Sequence, residues 1–139
     1  MDPIANMFSQ IKNAQAAQKE RLVIPYAKIK LAILEILKNH RQIADFCVVE
    51  KKHFHKKENS KAKKSDLIIN EIEIDLLQDN FSDIRRISRP GRRVYASFTR
   101  IPRPKRAQAL VIVSTSKGVF EGEEARKKGL GGEIIAEVR

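Results

Sequence analysis

The sequence predicts an α+β fold made of two small subdomains. Two segments repeat apolar residues at helical spacing, whereas several short apolar runs alternate with polar residues or stop at proline or glycine, as strands do. With 139 residues, the chain is long enough for one compact unit or for two very small subdomains with a common core. We expect a helix-strand-helix-strand-strand unit over residues 1–80 and an antiparallel sheet with one short helix over residues 81–139. A turn signal at Asp79-Asn80 marks the boundary.

Both helices of the first half follow from their apolar spacing. Asp2-Pro3 suits an N-cap and a first helical position, so the first helix should run to about Ala17. The second should run from about Ala27 to Asn39, with a buried face formed by Ile29, Ile33, Ile36 and Leu37. Lys28 and Lys30 lie off that face in the first turn. They are either solvated or meet phosphate beside the free backbone N–H groups.

Three strands are expected in the first half, over residues 22–24, 44–49 and 67–77. In the last of these, isoleucine alternates with Glu71, Glu73 and Asp75, which indicates a half-buried strand with an acidic outer face and explains these carboxylates without catalysis. Cys47 is the single cysteine, so no internal disulfide can form. Because apolar residues flank it, we expect a buried structural thiol.

A lysine-rich segment, residues 51–64, separates the second and third of these strands. It carries seven lysines and is expected to be a long hairpin tip or a basic arm. His53 and His55 have a spacing that could ligate a metal, but the surrounding lysines repel a cation and no third ligand is evident, so no metal site is predicted. Contact with RNA and a merely solvated arm both remain open.

The second half begins with a basic turn. Pro90-Gly91 fits the two central positions of a type II turn, because proline presets the first φ and glycine accepts a positive second φ. Arg92 and Arg93 follow it and are candidate RNA contacts. Tyr95 is the first candidate for stacking on a base, with a half-buried strand aromatic as the alternative. Residues 101–106 are proline-rich and basic, which is typical of a loop.

The most informative motif comes after a strand predicted over residues 110–113, and it reads Ser114-Thr115-Ser116-Lys117-Gly118. Three hydroxyls, an ammonium group and a glycine suit a sugar-phosphate chain. A short helix should follow over residues 121–128, closed by Gly129, and a final strand should include Ile134-Ile135. Between them, Gly131-Gly132 allows either a sharp turn or a close backbone approach to RNA.

The charge of the chain indicates a polyanionic partner, since its formal net charge is +11. Residues 1–81 hold 14 basic and 11 acidic residues, whereas residues 82–139 hold 14 and 6. Ten of the 12 arginines lie in the second part, where their planar groups can grip phosphate. No apolar run spans a bilayer and no secretion signal opens the chain, so a cytoplasmic location is expected.

Other function classes fit the sequence poorly. An RNA-processing enzyme would need clustered acids or a nucleophile beside a base, and no such group is evident, so no catalytic residue is predicted. The phosphate-binding and dinucleotide-binding glycine motifs are missing, so no cofactor is predicted. A non-specific DNA or membrane-surface binder would account for the charge but not for the hydroxyl-glycine motif.

Several motifs together carry a family resemblance over nearly the whole chain. They are Asp2-Pro3-Ile4-Ala5-Asn6-Met7-Phe8, Ser88-Arg89-Pro90-Gly91-Arg92-Arg93-Val94-Tyr95, S-T-S-K-G-V at 114–119 and E-A-R-K-K-G-L-G-G-E-I-I at 124–135. The chain resembles the bacterial form of the small-subunit ribosomal protein number eight family. The resemblance implies a protein of two α+β subdomains, without catalytic activity, that binds the central domain of small-subunit ribosomal RNA early in assembly.

The resemblance also implies an RNA-binding surface. By position, residues 114–118 correspond to its main contact loop, with Tyr95, Gly131, Gly132 and Glu133 beside it and Lys28 and Lys30 as a secondary contact. Expected partners are the RNA and neighbouring small-subunit proteins, with a monomer outside the ribosome. Some relatives repress their own messenger RNA, and a repressor or another sequence-tolerant RNA binder is the alternative here. The lysine-rich segment is longer and more basic than the usual hairpin, which suggests an added contact.

Overall fold

The computed structural model describes residues 3–53, 67–77, 83–104 and 109–138 and confirms a mixed helix and strand fold with two antiparallel sheets. The first half contains α1 (Pro3–Ala16), β1 (Arg21–Pro25), α2 (Lys28–Asn39), β2 (Asp45–His53) and β3 (Leu67–Asp75). The second half contains β4 (Ile84–Arg86), β5 (Tyr95–Ala96), β6 (Leu110–Thr115), β7 (Gly118–Glu121), α3 (Gly122–Lys127) and β8 (Gly132–Val138). The predicted turn at Asp79-Asn80 lies outside the described residues, as do residues 54–64 of the lysine-rich segment.

The first sheet has β3 at its centre, between β1 and β2. The predicted alternation along β3 is confirmed, because Ile72 and Ile74 are fully buried whereas the acidic residues that alternate with them are partly exposed. Two of these acids pair with Arg21, whose guanidinium lies 3.7 Å from a Glu73 oxygen and 3.0 Å from an Asp75 oxygen. These carboxylates therefore belong to a charged face of the sheet, which agrees with the interpretation that needs no catalytic role for them.

The expectation that Cys47 is a buried thiol is wrong, because the structure exposes this residue. On β2, Cys47 pairs with Glu73, whereas Phe46 pairs with the buried Ile74. Side chains along a strand alternate between faces, so Cys47 shares the outer, acidic face of the sheet. Apolar neighbours in the sequence predicted burial, but strand alternation placed Cys47 on the opposite face from Phe46 and Val48.

Helix α2 requires a second correction. Ile29 is 38% exposed, whereas Lys30 is only 6% exposed and its ammonium group donates a hydrogen bond of 3.0 Å to the carbonyl of Pro25. Desolvation by burial lowers the pKa of Lys30. The buried arc of the helix is centred nearer Leu34 and Leu37 than the sequence predicted, which brings Lys30 into it and leaves Ile29 at its edge.

The second sheet has the strand order β4-β8-β6-β7, and β5 also pairs with β8. Strand β6 extends two residues beyond the predicted one, so Ser114 and Thr115 belong to the sheet. Helix α3 ends as predicted: Gly129 has φ +68°, and the amide of Leu130 donates to the carbonyl of Ala125 at 2.9 Å. This is the glycine-terminated helix end that the sequence indicates.

One hydrophobic core connects the two halves of the chain. Its buried side chains come from both helices of the first half, from the first sheet and from the inner face of the second sheet, for example Met7, Ile33, Ile72, Ile112 and Val138. A smaller cluster lies beneath α3 and includes Val113, Ala125 and Ile134. Among the described residues, no helix is long and apolar enough to cross a membrane.

Two isoleucines of α2 provide a test of the corrected helix face. Ile33 is fully buried, so Ile33→Ala should lower the free energy of unfolding by about 2–5 kcal/mol through lost burial and a cavity. Ile29→Ala, one turn earlier on the same helix, should change it by less than about 1 kcal/mol. Urea denaturation of both variants measures the difference. Equal losses would place Ile29 in the core and contradict the observed orientation.

Candidate nucleic-acid interface

Most of the predicted contact residues meet at one end of the second sheet. Glu133 of β8 pairs with Tyr95 of β5 on one side and with Ser114 of β6 on the other. Neighbouring strands are about 4.8 Å apart, so these three side chains form a row across the sheet. In the next row, Gly132 lies between Ala96 and Thr115. We call this region, with the turns that adjoin it, the sheet-end surface; it comprises Arg92, Arg93, Tyr95, Ser114–Gly118 and Gly131–Glu133.

The hairpin between β6 and β7 is held by one of its own hydroxyls. The Thr115 hydroxyl donates to the carbonyl of Gly118 at 2.8 Å and accepts the amide of Lys117 at 3.2 Å. Gly118 has φ +130°, which favours glycine because it has no side chain. Ser116 and Lys117 are exposed at the tip. The Thr115 hydroxyl therefore stabilises the turn at whose tip the Ser116 hydroxyl and the Lys117 ammonium group are exposed.

Gly131 and Gly132 allow a close approach between protein backbones. A Cβ at Gly132 would overlap the carbonyl oxygen of Ser114, and a Cβ at Gly131 would lie 2.7 Å from the carbonyl oxygen of Ala96. Neither glycine has a left-handed φ. Their lack of a side chain thus lets the start of β8 fit between β5 and β6, a reason for glycine that the sequence did not reveal.

A buried serine orients Glu133. Ser88 is fully buried, and its hydroxyl donates to Oε1 of Glu133 at 2.5 Å while it accepts the amide of Val94 at 3.3 Å. The guanidinium of Arg93 donates to the same carboxylate oxygen at 3.1 Å. Both bonds involve Oε1, which leaves Oε2 outside this network. Ser88 was not among the predicted site residues, because nothing in the sequence shows that its hydroxyl faces Glu133.

The basic turn that precedes β5 has the predicted geometry. Gly91 has φ +85°, and Arg89 and Arg92 exchange two backbone hydrogen bonds of 3.0 and 3.1 Å. Arg92 is exposed at the end of this turn. Arg92 is thus an accessible cation, whereas Arg93 is bonded to Glu133.

Tyr95 is 69% exposed, which contradicts the alternative of a half-buried strand aromatic. The ring is attached to a two-residue strand whose partner, β8, is fixed by the close glycine contacts. An exposed aromatic ring on a fixed backbone offers a flat face to a base or ribose at a low cost in conformational entropy.

Comparison with known proteins identifies the family. The sequence matches the family described as ribosomal protein S8 over residues 2–139. Small ribosomal subunit protein uS8 of Persephonella marina is 40% identical over 139 residues, which is 99% of this chain and 97% of the relative. The uS8 proteins of Kosmotoga olearia and Sorangium cellulosum are 38% and 39% identical, again over 99% of this chain and 97% of each relative. The chain belongs to the ribosomal protein S8 family.

Membership of the S8 family confirms the resemblance carried by the sequence motifs and makes the chain a structural ribosomal protein of the small subunit, not an enzyme. In the part of the chain that the structure describes, no three His, Cys, Asp or Glu residues are grouped in a way that could hold a metal ion.

The two lysines of α2 that were predicted as contacts lie apart from the sheet-end surface, and they differ from each other in exposure. Lys28 is exposed at the first position of α2, but Lys30 is buried against Pro25. The other end of α2 reaches β7, where Nε2 of His40 lies 2.7 Å from a Glu121 carboxylate oxygen. Because a helix rises 1.5 Å per residue, Lys28 is about 18 Å along the axis from His40. Lys28 would therefore be a second, separate contact.

The contact between Gly132 and Ser114 leads to a structural prediction. Gly132→Ala should push β8 away from β6, lower the free energy of unfolding by about 1–3 kcal/mol and shift the backbone amide resonances of Ser114 and Thr115. Gly91→Ala is the control, because a Cβ there meets nothing within 4 Å and only its positive φ is unfavourable. NMR spectra of both variants measure the effect, and unchanged Ser114 and Thr115 resonances in Gly132→Ala would disprove the close contact.

Removal of the Ser88 hydroxyl gives a further prediction. Ser88→Ala should cost about 1–3 kcal/mol of unfolding free energy, because the amide of Val94 and the carboxylate of Glu133 both lose a buried partner. Ser97→Ala is the matched control. That hydroxyl is exposed and bonds another exposed hydroxyl, that of Thr99, at 3.1 Å, so a change within about 0.5 kcal/mol is expected. Thermal denaturation distinguishes them, and equal stabilities would show that the Ser88 bonds are dispensable.

Proposed function

We propose that this S8 protein binds the central domain of small-subunit ribosomal RNA through the sheet-end surface and supports assembly of that domain alongside neighbouring small-subunit proteins. The observation that carries the proposal is the row of Tyr95, Glu133 and Ser114. It presents an exposed ring, an oriented carboxylate and a hydroxyl on adjacent strands. This combination offers stacking, hydrogen-bond acceptance and hydrogen-bond donation at fixed spacing.

The chemistry of these groups suits RNA better than DNA. A-form helices display 2′-hydroxyls and base edges in a wide, shallow minor groove, where short hydroxyl side chains can reach them. Ser114 and Ser116 can donate to or accept from these groups. Glu133 is repelled by phosphate but can accept a hydrogen bond from a 2′-hydroxyl or a base amino group. A carboxylate held in a basic surface therefore favours contact with the sugar and base edges over contact with the phosphates.

Cations at the margin of the surface supply the electrostatic part of the affinity. Lys117 at the hairpin tip and Arg92 at the end of the basic turn are both exposed and can reach phosphates that flank the groove. Lys28 would contact a different stretch of backbone, because it lies at the far end of α2. Lys30 supports that contact indirectly, since its bond to the Pro25 carbonyl fixes the approach to the helix.

The direct test is binding of the purified protein to a central-domain ribosomal RNA fragment and to an unrelated duplex of equal length, over a series of salt concentrations. The proposal predicts a large preference for the ribosomal fragment that persists at physiological salt, because hydrogen bonds and shape add to the phosphate contacts. Equal affinities that fall together as salt rises would reduce the protein to a general polyanion binder and overturn the proposal.

Ser116→Ala tests the hydroxyl contacts within that assay. The variant should lose about 1–3 kcal/mol of binding free energy for the ribosomal fragment and keep the stability of the fold, because the hydroxyl is exposed at the hairpin tip. Ser9→Ala, which removes an exposed hydroxyl on α1, is the control and should bind like the unaltered chain. An equal weakening of Ser116→Ala toward the unrelated duplex would argue against a specific contact.

A further inference from the structure

A second exposed aromatic side chain lies next to the sheet-end surface. Among the described residues of the second half, the exposed large apolar side chains are Tyr95, at 69%, and Phe98, at 43%. The backbone nitrogen of Phe98 is 3.1 Å from the position that a Cβ on Gly131 would occupy. Phe98 is therefore directly beside the glycine that leads into Gly132 and Glu133, although it was not among the predicted contact residues.

Phe98 is held on a short turn that is fixed at both ends. The amide of Arg100 donates to the carbonyl of Ser97 at 2.9 Å, which makes residues 97–100 a β-turn with Phe98 at a central position. On one side of the turn, Ala96 pairs with Gly132. On the other, Ile101 is 3% exposed and its carbonyl accepts a hydrogen bond of 2.7 Å from Arg126. The ring is thus presented from an anchored backbone.

The electrostatic setting of this turn favours a polyanion. Residues 84–120 contain ten lysines and arginines and no aspartate or glutamate. Arg100 and Arg103, which flank the buried Ile101, are both exposed. A phenyl ring has no hydrogen-bonding group, so it cannot read base edges, but it can stack on the face of any base. Single exposed apolar residues are common, but an anchored aromatic ring within a basic, acid-free segment matches the pattern of single-strand binding sites.

We infer that the turn of residues 97–100 binds an unpaired nucleotide of the same RNA, with Phe98 stacked on its base and Arg100 beside its phosphate. The inference rests on the proposed function, because it extends the sheet-end surface beyond a paired helix. Stacking needs a base that is free of its own neighbours, so the contact is with an unpaired nucleotide next to the helix and not with the helix itself.

Fluorescence gives the most direct test, because the chain contains no tryptophan. Phe98→Trp introduces one reporter ring at the turn, and titration with the central-domain ribosomal RNA fragment should quench its fluorescence through stacking. Val23→Trp is the control, since Val23 is 41% exposed on the first sheet, and its fluorescence should not change. In parallel, Phe98→Ala should bind the fragment about 5-fold to 100-fold more weakly, whereas Phe98→Trp should retain affinity.

The outcomes separate this inference from the proposed function. If the unaltered chain prefers the ribosomal fragment, but Phe98→Ala binds it equally well and the indole fluorescence of Phe98→Trp is not quenched, the inference alone is overturned. If the unaltered chain shows no preference over an unrelated duplex, the proposed function fails and the inference fails with it. Weakened binding of Phe98→Ala at unchanged melting temperature, together with quenching, supports both.

Discussion

The close contact between the start of β8 and its neighbouring strands is the constraint on which the sheet-end surface depends. Gly131 and Gly132 lie so near the carbonyls of Ala96 and Ser114 that no side chain fits at either position. Because this contact fixes β5, β8 and β6 in register, it also fixes Tyr95, Glu133 and Ser114 in one row. A surface that depends on the backbone in this way is sensitive to small displacements, since a shift of β8 would move all three groups.

Polar groups at the sheet end divide into those that hold the surface together and those that face outward. The hydroxyls of Ser88 and Thr115 have their partners within the protein, whereas Ser116, Lys117 and Tyr95 are exposed. Side chains that are already oriented lose less conformational entropy when a ligand binds. In the proposed RNA complex, Ser88 and Thr115 would therefore contribute without touching the RNA, because they lower the entropic cost of ordering the exposed side chains.

The sequence predicted features that depend on local patterns. Alternation along β3, the positive φ of Gly91 and the end of α3 at Gly129 all follow from neighbouring residues and were confirmed. Features that depend on tertiary packing were missed or wrong. The burial of Lys30 depends on how α2 is rotated against the core. The exposure of Cys47 depends on which face of β2 packs inward. The role of Ser88 depends on Glu133, a partner 45 residues away in the sequence. Most of the sheet-end residues were predicted because the S8 family motifs lie there, not because their spacing shows that they meet.

Amide chemical-shift mapping of the isotopically labelled protein with the central-domain ribosomal RNA fragment would test the account most directly. The row geometry predicts that the largest shifts fall together on Tyr95, Ser114–Gly118 and Gly131–Glu133, which lie on separate strands and turns but adjoin in the sheet. The acidic outer face of the first sheet should show no change. Shifts spread evenly over exposed lysines of both halves, with the sheet end unaffected, would contradict the claim that this surface recognises the RNA.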